Sequence, residues 1–279
     1  MFDGITQQIL YKYRPAQPIR HVLRLLKYGS LWFSSARAFN DPFDTSITYN
    51  LDGLETDLAE RWVESASLKF AGDWPEEKRL QFNRDRLLAL RTDPVEREKS
   101  RALIADQQYD AFGICSLSAL RDDLLMWGHY SGNHAGICVG IRTSVLWDAA
   151  QAVTARKMVL DLKEVNYPPM PPNINLFRAM LSEETDHIMQ FVFTKAANWS
   201  YEREFRLLLW DHPNHEFRFG PEVVAELIFG LRTPPNVMKR IMCLARHYNP
   251  EIAFFKIFKH PSDYAFIVQE VSMAPGPAT

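Results

Sequence analysis

Two acids one residue apart, Glu202 and Glu204, with Arg206 two positions on, are the side chains in this sequence best placed to do chemistry. From Glu202 to Trp210 the text reads as a strand, and strand side chains alternate between faces. Phe205, Leu207 and Leu209 then share one face, and Glu202, Glu204 and Arg206 the other. Two like charges side by side repel, so Arg206 or an incoming cationic centre such as an oxocarbenium-like sugar would offset the cost. A surface strand with cross-strand Glu–Arg pairs satisfies the same pattern. Arg14 ends an earlier short strand just before Pro15, where a guanidinium can fork onto a carboxylate or phosphate, or simply face solvent. Ser116 and Ser118 alternate onto one strand face, either holding an amide or ribose or serving as satisfied strand serines.

Further polar groups surround these. Met126 to Tyr130 precede a turn, Ser131 to His134, which brings His129 and His134 close together with Trp127 and Tyr130. Two histidines fall short of the three or four ligands zinc wants, so packing by the histidines and stacking by Tyr130 is the reading preferred over metal. Asn40, Asp41 and Asp44 sit in a proline-containing loop where Asx turn chemistry explains them, with Phe39 and Phe43 as anchors and the acids left to line a cleft. The sequence has no glycine-rich phosphate loop, nucleophile elbow, Cys-x-x-Cys or His-Glu-x-x-His.

The elements that must position these groups follow from periodicity. Ile9 to Arg14 predicts a strand; Val22, Leu25 and Leu26 recur at helical spacing and Gly29 stops that helix; Leu31 to Ser35 predicts a second strand. From about residue 52 to 110 the sequence becomes charged and heptad-like, predicting a helical insertion. Strands are expected at Phe112 to Ser118, Gly136 to Ile141, Glu164 to Tyr167, Glu226 to Gly230, Ala253 to Phe258 and Ala265 to Val271. Helices are expected at Leu124 to Tyr130, about Leu176 to Lys195, and about Asn236 to His247. This mixture predicts an α+β fold, as one domain over 1–272 with a disordered tail from Met273 to Thr279.

Composition sets the outer bounds. Hydrophobic residues make up 47% against 24% charged, which is a globular composition. Thirty-two basic and 34 acidic residues give a net charge of −2, so no global charge advertises nucleic acid or membrane binding. Cys115, Cys138 and Cys243 lie in apolar runs without metal-ligand spacing and are expected to be reduced core residues. No signal segment or bilayer-length apolar run is found, so a cytoplasmic protein with no membrane partner is expected.

YKYR at Tyr11 to Arg14, the Phe33-Ser34-Ser35 and FNDPFD segments to Asp44, Ser116 to Ser118, MWGHYSGNHAGI from Met126, and WSYEREFRLL from Trp199 resemble a bacterial family of unknown function, the one numbered 2971. More distantly, the order of a strand with arginine, a strand with serines and Glu-x-Glu opening a strand is similar to ADP-ribosyltransferases. That resemblance implies a split, strongly bent, mixed or antiparallel sheet with NAD in its cleft, as substrate for ADP-ribose transfer or NAD hydrolysis. It implies that Glu204 is the catalytic glutamate, with Glu202 and Arg206 beside it. Arg14, Ser116, Ser118, Tyr130, Trp127 and Asn40 would bind NAD, with Ser34-Ser35 as a competing serine motif. The acceptor would be a protein, a nucleic acid or water, and the setting a toxin or phage-defence effector. Two other readings stand beside it: a metal-dependent hydrolase or nuclease using Asp41, Asp44, Glu202 and Glu204 as oxygen ligands, and a non-catalytic nucleotide-sensing or partner-binding module.

Overall fold

The computed structural model describes residues 5–154, 159–182 and 185–272. In chain order its elements begin with β1 (Ile9–Arg14), α1 (Ile19–Tyr28), β2 (Ser30–Phe33), β3 (Thr48–Asn50), α2 (Asp57–Ala71), α3 (Glu76–Thr92) and α4 (Pro94–Tyr109). They continue with β4 (Phe112–Ser118), α5 (Leu124–Tyr130), β5 (Ile137–Arg142), α6 (Thr143–Thr154), β6 (Leu160–Glu164), β7 (Asn173–Asn175), α7 (Leu176–Leu181) and α8 (Asp186–Val192). The chain closes with β8 (Glu204–Trp210), β9 (His215–Arg218), β10 (Val224–Phe229), α9 (Pro235–Tyr248), β11 (Ala253–Lys259) and β12 (Phe266–Glu270). These form two compact units, one from the segments up to Ala38, Ala111–Val165 and Asn198 onward, the other from Phe39–Asp110 and Asn166–Ala197.

The first unit is built on an eight-stranded mixed sheet of order β12-β11-β10-β5-β1-β4-β8-β6, in which only β10 and β11 run parallel. A mixed sheet with helices packed on it makes the unit α+β. One face carries the larger core, where Leu10, Cys115, Leu117, Val139, Phe205, Leu207 and Leu227 meet Val22, Leu25 and Leu26 of α1. The opposite face packs Tyr13, Cys138 and Ile228 against Met126 and Trp127 of α5. The ladder is full between β1 and β5, with six registered pairs, but β1 and β4 share only Tyr11↔Ser118. Beyond that bridge the Lys12 ammonium donates to the Ser116 carbonyl at 2.7 Å, satisfying an acceptor that the lapsed ladder leaves open.

In the second unit α2, α3, α4 and α7 bury Tyr49, Leu54, Ala59, Val63, Leu90, Ile104, Leu176 and Phe177 together. Thr56 and Asp93 cap α2 and α4 through their side chains, which is why the charged run breaks into separate helices there. The insertion expected over about 52–110 is therefore helical, and it shares its core with 166–197 rather than standing alone.

Several elements differ from their sequence pattern. The strand expected at Glu164 to Tyr167 is instead Leu160–Glu164, because Asn166 leaves the sheet to bridge Thr194. The long helix expected from Leu176 is interrupted between α7 and α8. Helix α6 and strand β9 carried no signal that was read. Cys115 and Cys138 are buried, but Cys243 is exposed and not a core residue. The segment Met273 to Thr279 lies outside the described residues. No helix of the described residues is long and apolar enough to cross a membrane.

Helix α1 ends where Gly29 adopts φ 60° and its N–H bonds the Leu25 carbonyl at 2.8 Å. A Cβ at Gly29 would also collide with the Gly220 backbone. Gly29→Ala is expected to cost at least about 2 kcal/mol in urea unfolding, the strain of a left-handed alanine adding to the clash. A loss below about 0.5 kcal/mol would show that the turn is not so constrained.

Candidate functional site

Strand β8 carries a charged pair inside the protein. Phe205, Leu207 and Leu209 point into the larger core, so Glu204 and Arg206 point to the opposite face, in register with Ser118 and Ser116 of β4. Arg206 is completely buried and forks onto Glu204, Nε to Oε1 at 2.8 Å and Nη2 to Oε2 at 3.2 Å. The exposed-strand alternative is thereby excluded, since such a fork is charge-assisted, bidentate and desolvated.

Glu202 reaches this neighbourhood by a different route from the one alternation predicts. It closes a 3-10 turn, Ala197–Glu202, and Arg203 then takes φ 44° before the strand begins. Glu202 therefore does not lie on the strand face of Glu204 and Arg206. Its carboxylate is buried and accepts the Tyr130 hydroxyl at 2.7 Å. Trp199 and Tyr201, from the same turn, lie with ring centroids 6.0 Å apart, and Tyr201 packs with Tyr130 against the α5-side core.

Ser118, Ser35 and Trp127 are engaged by contacts within the fold. Ser118 is fully buried, its hydroxyl donating to the Glu202 carbonyl at 2.6 Å and accepting from the Leu120 N–H at 3.0 Å. It thus fixes the turn that carries Glu202. Ser116 sits on the same face, half-buried, while its carbonyl takes Lys12. Ser35, of the competing serine motif, accepts from the Arg37 N–H at 3.2 Å and folds its own turn. Trp127 is fully buried, edge-on to Tyr13 at 5.3 Å, with its indole N–H on the Arg121 carbonyl. A ring so enclosed is packing and cannot face a ligand. Sequence reading missed Tyr11, Arg121 and Glu226 on this side. Arg121 pairs with Glu226 at 3.2 Å, and burial, then the Glu226 charge, hold the Tyr11 phenol well above its ordinary pKa.

Arg14 does not join these acids. On β1, Tyr11 and Tyr13 belong to the α5 side, so Leu10, Lys12 and Arg14 alternate to the other, where Leu10 sits in the larger core. Arg14 opens into a cavity of about 390 Å³ with Arg20, His21, Arg24, Leu31, Trp32 and Glu216. The expected convergence of Arg14 with Glu204 is corrected by the register of the strands, which sets them on opposite faces of one sheet.

Asn40, Asp41 and Asp44 belong to the second unit. Asn40 is exposed, Asp41 accepts from the Phe43 N–H at 2.9 Å in an Asx turn, and Asp44 is buried 3.5 Å from Lys195. Phe43 is exposed rather than buried as a loop anchor. Among the described residues no group of three or more His, Cys, Asp or Glu could hold a metal ion.

The stretch 126–207, from within α5 into β8, matches the model of a family described as a protein of unknown function, DUF2971. It contains Tyr130, Glu202, Glu204 and Arg206. No curated protein and no solved structure gives a significant match to the chain.

The fork makes a stability prediction. Arg206→Met leaves the Glu204 charge buried without it and is expected to cost about 3–5 kcal/mol in denaturant unfolding. Glu204→Gln/Arg206→Met should recover at least about 1 kcal/mol of that loss, as the two residues interact directly. Additive losses from the two substitutions would contradict the pairing.

Proposed function

We propose that this protein acts on NAD, cleaving the bond between nicotinamide and ribose and passing the ADP-ribose to a protein, a nucleic acid or water. One observation carries the reading: two buried carboxylates stand at the opening of β8, Glu202 under the Tyr130 hydroxyl and Glu204 in the Arg206 fork, beside the aromatic pair Trp199 and Tyr201.

The chemistry suits that arrangement. As the glycosidic C–N bond breaks, its electron pair leaves with nicotinamide and positive charge builds on the ribose. A carboxylate held ionised in a site away from water stabilises that charge, and Glu204, oriented by Arg206, takes this role. Glu202 meets the attacking hydroxyl, amine or water and receives its proton as the new bond to ribose forms. Tyr130 positions Glu202 through its hydroxyl, in place of the stacking role that the resemblance implies. Ser118 and Arg206 are positioning residues, and Arg14 has no part in this site.

A second reading has its own observation. The fork already matches the charge of Glu204 with that of Arg206, which suits a nucleotide-sensing module that binds without turnover. Glu202→Gln separates the two, because glutamine keeps an acceptor for Tyr130 while losing the charge. NAD consumption, followed as released nicotinamide, is expected to fall at least about 100-fold with the melting temperature within about 2 °C of wild type. Unchanged turnover in this variant rejects the catalytic assignment, and calorimetric NAD binding with no nicotinamide released supports the sensing module.

A further inference from the structure

We propose that the Arg14 cavity is a separate ligand site, on the opposite face of the sheet from the acids, which takes a phosphate ester carrying a flat ring, of the size of a mononucleotide. The inference stands on this cavity alone and does not depend on NAD chemistry at Glu202 and Glu204.

The charge in the cavity is unbalanced. Among the described residues its lining holds Arg14, Arg20 and Arg24, with Glu216 as the one carboxylate. Arg24 is taken up by that carboxylate, Nε to Oε1 at 3.0 Å with a second bond from Nη2 to Oε2. Two guanidiniums therefore remain in excess. Among the described residues Arg14 Nε is buried and has no hydrogen-bond partner, a costly condition for a strong donor. Burial pulls the Arg14 pKa below its ordinary value, as expected for a cation that lacks an anion to complete it.

The rest of the lining fits the same ligand. Arg20 and His21 belong to the first turn of α1, where the Gln17 amide oxygen accepts from the Ile19 N–H at 3.1 Å but no acidic residue answers the positive end of the helix dipole. Burial, then the charges of Arg14, Arg20 and Arg24, hold His21 below its usual pKa. Trp32 is 55% exposed on β2 between buried neighbours and offers a flat apolar surface at the cavity. A planar base on Trp32 with its phosphate on Arg14 uses both features, and the volume suits a small ligand.

Isothermal titration of the full chain with adenosine monophosphate and with inorganic phosphate tests this. The nucleotide is expected to bind in one equivalent, and Arg14→Gln to weaken it at least about tenfold. Trp32→Ala should weaken the nucleotide while leaving inorganic phosphate within about twofold, and as an exposed residue it carries the test if Arg14→Gln fails to fold. Glu202→Gln should leave nucleotide binding within about twofold, since it lies across the sheet. Failure to bind at millimolar concentration or indifference to Trp32→Ala would each overturn the proposal without bearing on NAD turnover, and loss of binding in Glu202→Gln would overturn it by placing the nucleotide at the acids.

Discussion

A side chain on an extended strand has two directions to point, and in the first unit that constraint decides which charged groups can meet. On β1 the neighbours Tyr13 and Arg14 go to opposite faces; on β8 Phe205 enters the core while Glu204 and Arg206 turn away from it. Because the period is two, a slip of one residue would exchange the faces and expose the whole core set, so the apolar residues lock the polar ones in place. Leu10, Leu117 and Phe205 thus hold Arg14 with α1 and the acids with α5.

On the α5 side the fold maintains charge where burial alone would favour apolar residues. A buried guanidinium–carboxylate pair gives little net stability compared with well-packed hydrophobic residues, and each member depends on the other. Glu202 adds a second acid, fixed by Tyr130 and by the Ser118 hydroxyl under its turn. Nearby, β1 and β4 part after a single bridge, and Lys12 spans the gap to the Ser116 carbonyl. Buried ionisable groups set against a break in a sheet concentrate at functional sites, and structural ion-pair networks use them as well. The proposal that function lies at the opening of β8 rests on these groups.

Much of this was legible residue by residue. β1, β4 and α5 fall where aromatic and apolar patterning puts them, and α1 stops at the glycine whose left-handed conformation ends it. Proline and Asx capping broke the charged run into helices. What the sequence hid was of two kinds. Arg203 takes a left-handed conformation with no glycine or asparagine to announce it, so Glu202 read as a strand residue and is in fact the end of a turn. Strand β9 follows a short polar segment with positive φ angles at Asp211 and Asn214. The second kind is register. Alternation within a strand can be read from one segment, but which face of β1 matches which face of β8 depends on pairing through β4, and that set Arg14 apart from Glu204.

The most direct test of the central claim, that the acids and Arg14 serve different faces of the sheet, is a crystal structure of the chain grown with NAD and adenosine monophosphate together. Two separate ligands are expected, a nicotinamide ribose beside Glu202 and Glu204 and a phosphate on Arg14 with its base against Trp32. A single dinucleotide touching both Arg14 and Glu204 would contradict that claim.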